Sequence, residues 1–482
     1  MNSIDLIVFI CYLIVTLYLS VIFFSKKRTS KSFTLGSGKT PQWVVTLSIF
    51  ATFVSSISYL ALPGSAYGTN WNAFVFSLSI PIAALITVRY FIPVYRRINS
   101  SSAYTYMEQR FGPWAKIYVS ICYISTQLMR VGTIIYLLAL AINMILGWDI
   151  ITVIVFTGVF VTVYSIIGGI EAVLWTDAIQ GIVLILGAVF CVVILLVGMP
   201  EGPGQLFEVA IEDHKFSLGD FSGSIVEPTF WVVFIYGIFI NLQNFGIDQN
   251  YIQRYMVSSS DANAKKSAFY GGILYLPVSA IFLFIGTALY AYYKINNGLP
   301  EELVNAPDKV FPHFIVQELP QGVSGLLIAS IFAAGMSTIS TSFNSTSTVL
   351  LTDYFNKNAV EKQKLWFLYV STVVICLISI MIALVMIDVK SILDVWWKYA
   401  SILSGGMLGL FLLGIFSNIK TNTNAILGLI FGILAILILT LYPVLFEKRE
   451  PLAHSYLTTV IGTLVIFLTG ILMYFLKEKK GK

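Results

Sequence analysis

Charge is scarce in this sequence. Only 11% of its 482 residues are Asp, Glu, Lys or Arg, against 57% hydrophobic residues and a mean hydropathy of +0.85. That balance excludes a soluble globular protein, in which about a quarter of the residues are charged. Histidine is nearly absent: His214, His313 and His454 lie in or beside polar loops, and none is spaced with Cys, Asp or Glu as a metal site. The four cysteines, Cys11, Cys122, Cys191 and Cys376, sit in apolar stretches without CxxC spacing, so they read as small core residues rather than as a disulfide framework or thiolate metal centre. No GxSxG, GxxxxGK[ST] or HExxH occurs, which leaves hydrolysis and ATP-driven pumping without machinery. Polar stretches long enough to fold as a kinase, nucleotide-binding or sensor domain are lacking too.

What is present is apolar sequence, in runs bounded by charges, Pro and Gly. Thirteen such runs lie near 4–24, 43–66, 73–97, 115–146, 150–167, 171–198, 229–250, 266–293, 321–353, 365–388, 395–416, 423–443 and 454–476. Their lengths suit a hydrocarbon layer about 30 Å thick. The expectation is an all-α polytopic membrane protein with about thirteen transmembrane helices. The first run, "IDLIVFICYLIVTLYLSVIFF", is too long for a signal-peptide core and lacks a small-residue cleavage site, so it reads as a retained helix. With that helix set aside, the next ten runs divide into two five-helix halves of opposite orientation, the 5+5 inverted repeat of many secondary transporters. The chain then partitions into an extra helix and basic loop (1–42), a first half (43–198), a loop and second half (199–416), and two C-terminal helices with a basic tail (417–482).

The net charge of +5 says less than its placement. Lys26, Lys27, Arg28, Arg96, Arg97, Arg110, Lys116, Arg254, Lys265, Lys266, Lys357, Lys362, Lys364, Lys420, Lys477, Lys479 and Lys480 crowd alternate loops. The positive-inside rule makes that face cytoplasmic, with the C-terminus inside and the N-terminus outside. Such a face needs no nucleic-acid partner, and no obligatory protein partner is evident; the expected partners are the lipid bilayer and a small-molecule substrate.

Two spans look interrupted. The second contains "SIFATFVSSISYLALPGSAYG", with hydroxyl and β-branched residues ahead of a Pro-Gly, and the seventh contains "NLQNFGIDQNYIQRY", unusually polar for a span. A broken helix exposes backbone polar groups at membrane depth, tolerable only beside a cavity, an ion or a substrate; for the seventh span a frayed end is the competing reading. The ninth span carries "FAAGMSTISTSFNSTST". Its Ser337, Ser340 and Thr341 fall on one helical face, with Thr338 one step around. Hydroxyls there either let helices approach closely or offer oxygen to a hard cation. Asp177, inside the sixth span, costs on the order of 2.5–3.5 kcal/mol unless paired or hydrated, and a bound cation or a local hydrogen bond would offset this. Arg130, mid-way through the fourth span, needs an anionic partner: Asp177, or the carboxylate of a substrate.

The four stretches "FATFVSS", "GGIEAVLWTDAIQG", "QRYM" and "FAAGMSTISTSFNS", in that order, resemble the sodium/solute symporters, and the resemblance covers nearly the whole chain. It implies an inverted-repeat core and Na+ as co-transported ion, one or two per substrate. It further implies a main sodium site from the carbonyls of Ala51, Val54 and Ala334 with the hydroxyls of Ser337 and Thr338, and a second from Asp177, Ser337, Ser340 and Thr341. Within the family, "RVGTIIYL", "GGIEAVLWTD" and the "SSIS" after Phe53 are most similar to the bacterial sialic acid symporters, which implies a bacterial cytoplasmic membrane. In that branch the position of Arg130 receives the sugar carboxylate, and those of Ser55 and Ser58 contact the ligand. Phe53, Ala73 and Ser77 stand where a threonine, a phenylalanine and a glutamine are expected, so the resemblance implies an altered preference among sialic acids. The mechanism expected is sodium-coupled secondary active uptake without enzymatic chemistry, with two sodium ions per substrate; a symporter for proline, pantothenate or a neutral sugar, a channel and a ligand sensor are the alternatives.

Overall fold

The computed structural model describes residues 3–22, 29–98, 100–296, 298–304, 306–355, 358–388, 392–417, 422–445 and 451–480, and all regular structure among them is helical. Lys26, Lys27, Arg28, Lys357 and Lys420 lie outside the described residues. The helices that matter here are α1 (Ser3–Ile22), α2 (Gln42–Phe53), α3 (Ser56–Gly68), α4 (Pro113–Leu146), α5 (Ile150–Val197), α6 (Phe230–Ile247), α7 (Gln249–Val257), α8 (Tyr275–Asn296) and α9 (Val323–Tyr354).

Ten helices are long and apolar enough to cross a membrane, eleven when α2 and the bent helix after it count as one span. Helix α5 holds 48 residues, about 72 Å at 1.5 Å per residue, more than twice the hydrocarbon thickness. It turns at Gly169, where φ is 62° and ψ is −161°, a conformation an L side chain rarely adopts. Two crossings therefore meet there, where the apolar runs ending at 167 and starting at 171 were separated. Ile392–Phe416, apolar over Leu403–Phe416, gives the remaining counterpart, so each of the thirteen expected runs has its helix.

Burial follows what each helix faces. Helix α1 leaves Ile4, Ile7, Ile14 and Val15 exposed, and the far half of α5 does the same with Leu186, Val189, Phe190 and Val193, the arrangement expected of surfaces solvated by lipid. Helix α9 is different: 89% of its most apolar window is buried, and it packs against α1, α4 and α5. Its hydroxyl run from Ser337 to Thr348 is therefore at the centre of the bundle, closed off from lipid.

The loops bear on this core. Between α5 and α6 the helix Pro203–Glu212 leads to Lys215, whose Nζ donates to the carbonyls of Tyr67 (2.7 Å) and Thr69 (3.0 Å) at the end of α3. Those carbonyls have run out of helical donors, and a cation at a helix C-terminus is favourable. Lys215 also stands 3.7 Å from the centroid of the Tyr290 ring on α8, so this loop ties α3 to α8. Nearby, the Lys294 ammonium donates to Asp213 and holds its carboxyl below the usual carboxylate range. The helix Pro307–Gln317 packs on the other side of α3.

One basic residue departs from its expected place. Arg254, counted with the cytoplasmic loop cations, is fully buried on α7. A guanidinium in that position requires an anion and full hydrogen bonding, and both are supplied by the cluster described next.

Candidate ion and substrate site

The two interruptions are real breaks. Helix α2 ends at Phe53, Val54 is extended (φ −80°, ψ 114°), and Ser55 (φ −107°, ψ 170°) starts α3 by accepting the Ser58 N–H on its own hydroxyl at 3.4 Å. The axis bends by 53°. The run Phe53-Val54-Ser55-Ser56 explains the position, since a β-branched residue followed by serine favours an N-cap over helix continuation. Carbonyls from Ala51 onward consequently lose their helical donors. A Cβ added at Gly181, one turn past Asp177, would lie 3.5 Å from the Ala51 Cβ, so this break faces the helix that carries the buried carboxylate. The second break is at Asp248, extended (φ −76°, ψ 123°) between α6 and α7 and capping α7 through Oδ1, which accepts the Asn250 N–H at 2.8 Å. Helix resumes at once, so fraying does not describe it.

Asp177 sits at the meeting point of α2, α5, α7 and α9, with no exposure. Its Oδ1 accepts from Ser337 Oγ at 2.7 Å, and its Oδ2 accepts from Ser48 Oγ at 2.7 Å, from an Arg254 terminal nitrogen at 2.6 Å and from Thr341 Oγ1 at 3.4 Å. Arg254 spends its other donors on Ser48 Oγ (2.8 Å), the Asn250 carbonyl (2.5 Å) and Thr341 Oγ1 (2.6 Å). The ion pair is thus buried and hydrogen-bonded on both sides, the condition under which a buried charge is tolerable. A carboxylate oxygen has two lone pairs. Oδ2 is saturated, whereas Oδ1 receives one hydrogen bond among the described residues.

The hydroxyls of α9 divide between two tasks. Ser337 and Thr341 turn to Asp177; Thr338 Oγ1 donates to the Ala334 carbonyl (3.2 Å) and Ser340 Oγ to the Ser337 carbonyl (3.1 Å). A hydroxyl that donates keeps its lone pairs for a cation. Ser342 and Ser345 turn to other partners: Ser342 Oγ donates to Gln127 Oε1 (2.8 Å), and Ser345 lies against Asn250 and the Tyr123 hydroxyl. Close helix packing and a polar lining, weighed as alternatives from the sequence, coexist on one helix.

Arg130 and its partner form a second, looser centre. The guanidinium lies 3.7 Å from Asp248 Oδ2, with the two side chains 17% and 11% exposed. Asp177 is therefore not its partner. Gln127 approaches the same Oδ2 at 3.4 Å and is joined to Asn250 at 3.1 Å. Phe53 packs among aromatic rings, with centroids 5.5 Å from Phe245, 6.3 Å from Tyr251 and 4.4 Å from Tyr275. Ser55 is buried, Ser58 and Ala73 are half-buried, and Ser77 is buried on Asn72–Leu78 beside α6. No hydrogen bond joins these four to Arg130 among the described residues.

Sequence reasoning placed Asp177, Ser337 and Thr341 together and missed Arg254, Ser48 and Asp248. Arg254 was hidden because it follows a polar stretch that reads as a loop. The signal for Asp248 was the single extended residue that a break demands, since Asp is a preferred N-cap.

Residues 33–432 match the sodium:solute symporter family. A sodium/sialic acid symporter of Aliivibrio fischeri is 31% identical over 98% of this chain and 93% of its own, and one of Proteus mirabilis is 33% identical over 88% and 87%. The solved substrate-bound outward-open structure of a Na+-coupled sialic acid symporter superposes with a TM-score of 0.91 at 29% identity, covering 98% of both chains. With its broken helices, its inverted-repeat core and its buried hydroxyl-rich helix, the chain belongs to the sodium:solute symporter family.

Proposed function

We propose that this protein couples sodium entry to the uptake of sialic acid. The observation that carries the reading is Arg130: a guanidinium on a membrane-crossing helix, held by one carboxylate at 3.7 Å and making no hydrogen bond among the described residues. Its planar fork matches a substrate carboxylate bidentately. The likeness to sialic acid symporters in sequence and in fold supports the same substrate class. Ser55 and Ser58, at the break between α2 and α3, are assigned to the ligand's other polar groups, while Phe53, Ala73 and Ser77 are assigned to an altered preference among sialic acids. In the purified protein, N-acetylneuraminate should bind in sodium and not in potassium, and Arg130→Ala should weaken binding about 10- to 100-fold, the loss of a hydrogen-bonded charge contact. Failure of a sodium-stabilised wild-type protein to bind would redirect the search to proline, pantothenate or neutral sugars.

The main sodium ion is assigned to the Ala51, Val54 and Ala334 carbonyls with Ser337 and Thr338. Binding there steadies the break between α2 and α3 against α9, and rocking of the 43–198 and 199–416 halves about the filled site then opens it to the other side, with the basic loops and C-terminus facing the cytoplasm. A second sodium is assigned to Asp177, through the less occupied Oδ1, with Ser337, Ser340 and Thr341 offering lone pairs. Two sodium ions with one monoanion carry one net positive charge, worth about 2.3 kcal/mol per 100 mV. Uptake into proteoliposomes should therefore rise with an inside-negative potential. Uptake that does not change with membrane potential, the sign of electroneutral cycling, would reduce the stoichiometry to one.

A further inference from the structure

We infer that Asp248 is an internal carboxylate that holds Arg130 until a substrate carboxylate displaces it, and that its charge sets how tightly the transporter grips and how readily it releases an anion. The inference rests on the assignment of Arg130 as the carboxylate-binding residue.

Three features of the geometry point to it. First, Asp248 cannot wander: it occupies the one extended residue between α6 and α7, its N–H donates to the Gln243 carbonyl at 3.1 Å and its Oδ1 is committed to the Asn250 N–H at 2.8 Å. Oδ2 is left for Arg130, shared with a long contact from Gln127 at 3.4 Å. Second, 3.7 Å is a Coulombic separation, longer than a hydrogen bond, so the pair orients the guanidinium while leaving its five N–H donors largely available. Third, both side chains retain some exposure, 17% and 11%, unlike the sealed Asp177 and Arg254 pair at 0% each. The looser pair is the one an incoming ligand can reach.

Electrostatics supplies the consequence. With Asp248 present the empty site is neutral, which weakens its hold on small stray anions and makes an arriving sialate compete with a fixed carboxylate. On the release side, Asp248 is in place to reclaim Arg130. The cap alone does not require this charge, because Asn and Ser cap helices as well as Asp does. Asp248 is in these terms a positioning residue, acting on the substrate through Arg130.

The test uses Asp248→Asn in the full-length protein, with Asp248→Ser as a second uncharged cap should the first fail to fold. Sodium-dependent thermal stabilisation verifies the fold. The Kd for N-acetylneuraminate should fall about tenfold, the order expected for removing one competing charge near the site. In proteoliposomes KM should fall with it and kcat should fall as well, because release slows. In an Arg130→Ala background the same substitution should leave the Kd unchanged. An unchanged or raised Kd in otherwise wild-type protein overturns the role of Asp248, as does an effect that persists without Arg130, which would mean that Asp248 acts on the anion directly or through packing rather than through Arg130. Absence of binding to the sodium-stabilised wild type overturns the assignment of Arg130 and this role together, so the two failures are distinct.

Discussion

Replacing Asp177 by Leu with Arg254 left in place is expected to destabilise the protein by about 3–5 kcal/mol, the range for breaking a buried ion pair and stranding one charge. Arg254 is fully buried and four of its contacts converge on Asp177, Ser48, Thr341 and the Asn250 carbonyl. No water-exposed route is available to it, so the guanidinium loses its counter-ion without regaining hydration. Arg254→Leu should cost a similar amount by leaving the carboxylate to three hydroxyls. The double replacement should be markedly more stable than either single one, since two apolar side chains of similar volume need no partner. Thermal unfolding in detergent, run in sodium and in potassium, separates the structural effect from the ionic one. The double variant should recover stability in potassium but lack the sodium increment contributed through Asp177. Additive single losses, with no recovery in the double variant, would mean that the two residues do not act as a pair.

The apolar runs and the first break were legible because each leaves a local mark, whereas for the second a frayed end competed. Apolar runs end at charges, a glycine must stand where φ is positive, as at Gly169, and serine after a β-branched residue marks a helix start at Ser55. Asp177 was legible for the opposite reason, being a carboxylate where hydrocarbon should be. What the chain could not reveal was partnership across long sequence separation. Asp177 and Arg254 are 77 residues apart, and nothing in "QNYIQRYM" distinguishes an arginine aimed into the core from one in a basic loop. The positive-inside rule counts charges without asking which way they face, so Arg254 was grouped with Lys265 and Lys266. Arg130 shows the same limit: its need for an anion was evident, but the choice of Asp248 over Asp177 depends on where α6 breaks relative to α4.

The division of labour on α9 also explains why its hydroxyl run could support two readings. Residues 337 and 341 are one helical turn apart and share a face, and both turn to Asp177. Residue 342 is about 100° round from 341 and meets Gln127, while 345 lies one turn beyond 341 on nearly the same stripe and meets Asn250. A single run of Ser and Thr thus serves the ion centre at its start and the frame of the substrate centre a turn further on. Asn250 stands between them, receiving Arg254 on its carbonyl and capping against Asp248 with its N–H.

Gly286→Ala should disable the protein even though it adds one methyl group far from either charged pair. A Cβ built at Gly286 on α8 lies 2.1 Å from the carbonyl oxygen of Pro63 and 2.8 Å from its Cα, inside van der Waals contact with backbone rather than with a side chain that could turn away. Pro63 is itself in the interior of α3, where it has no N–H to donate, so α8 can approach at that turn only because it carries no side chain. Relief requires α3 and α8 to separate, which would strain the Lys215 tie between them and displace the short helix that begins at the break after Val54. The expected loss of stability is about 3 kcal/mol, the upper end for overpacking, with sodium-driven uptake reduced beyond what the remaining folded fraction explains. Gly204→Ala is the control, since nothing stands within 4 Å of its added Cβ, and it should stay within about 0.5 kcal/mol of wild type. Wild-type stability and uptake in Gly286→Ala would show that α3 and α8 can part at no cost, and the close approach at Pro63 would then not be what holds the second half of the broken helix in place.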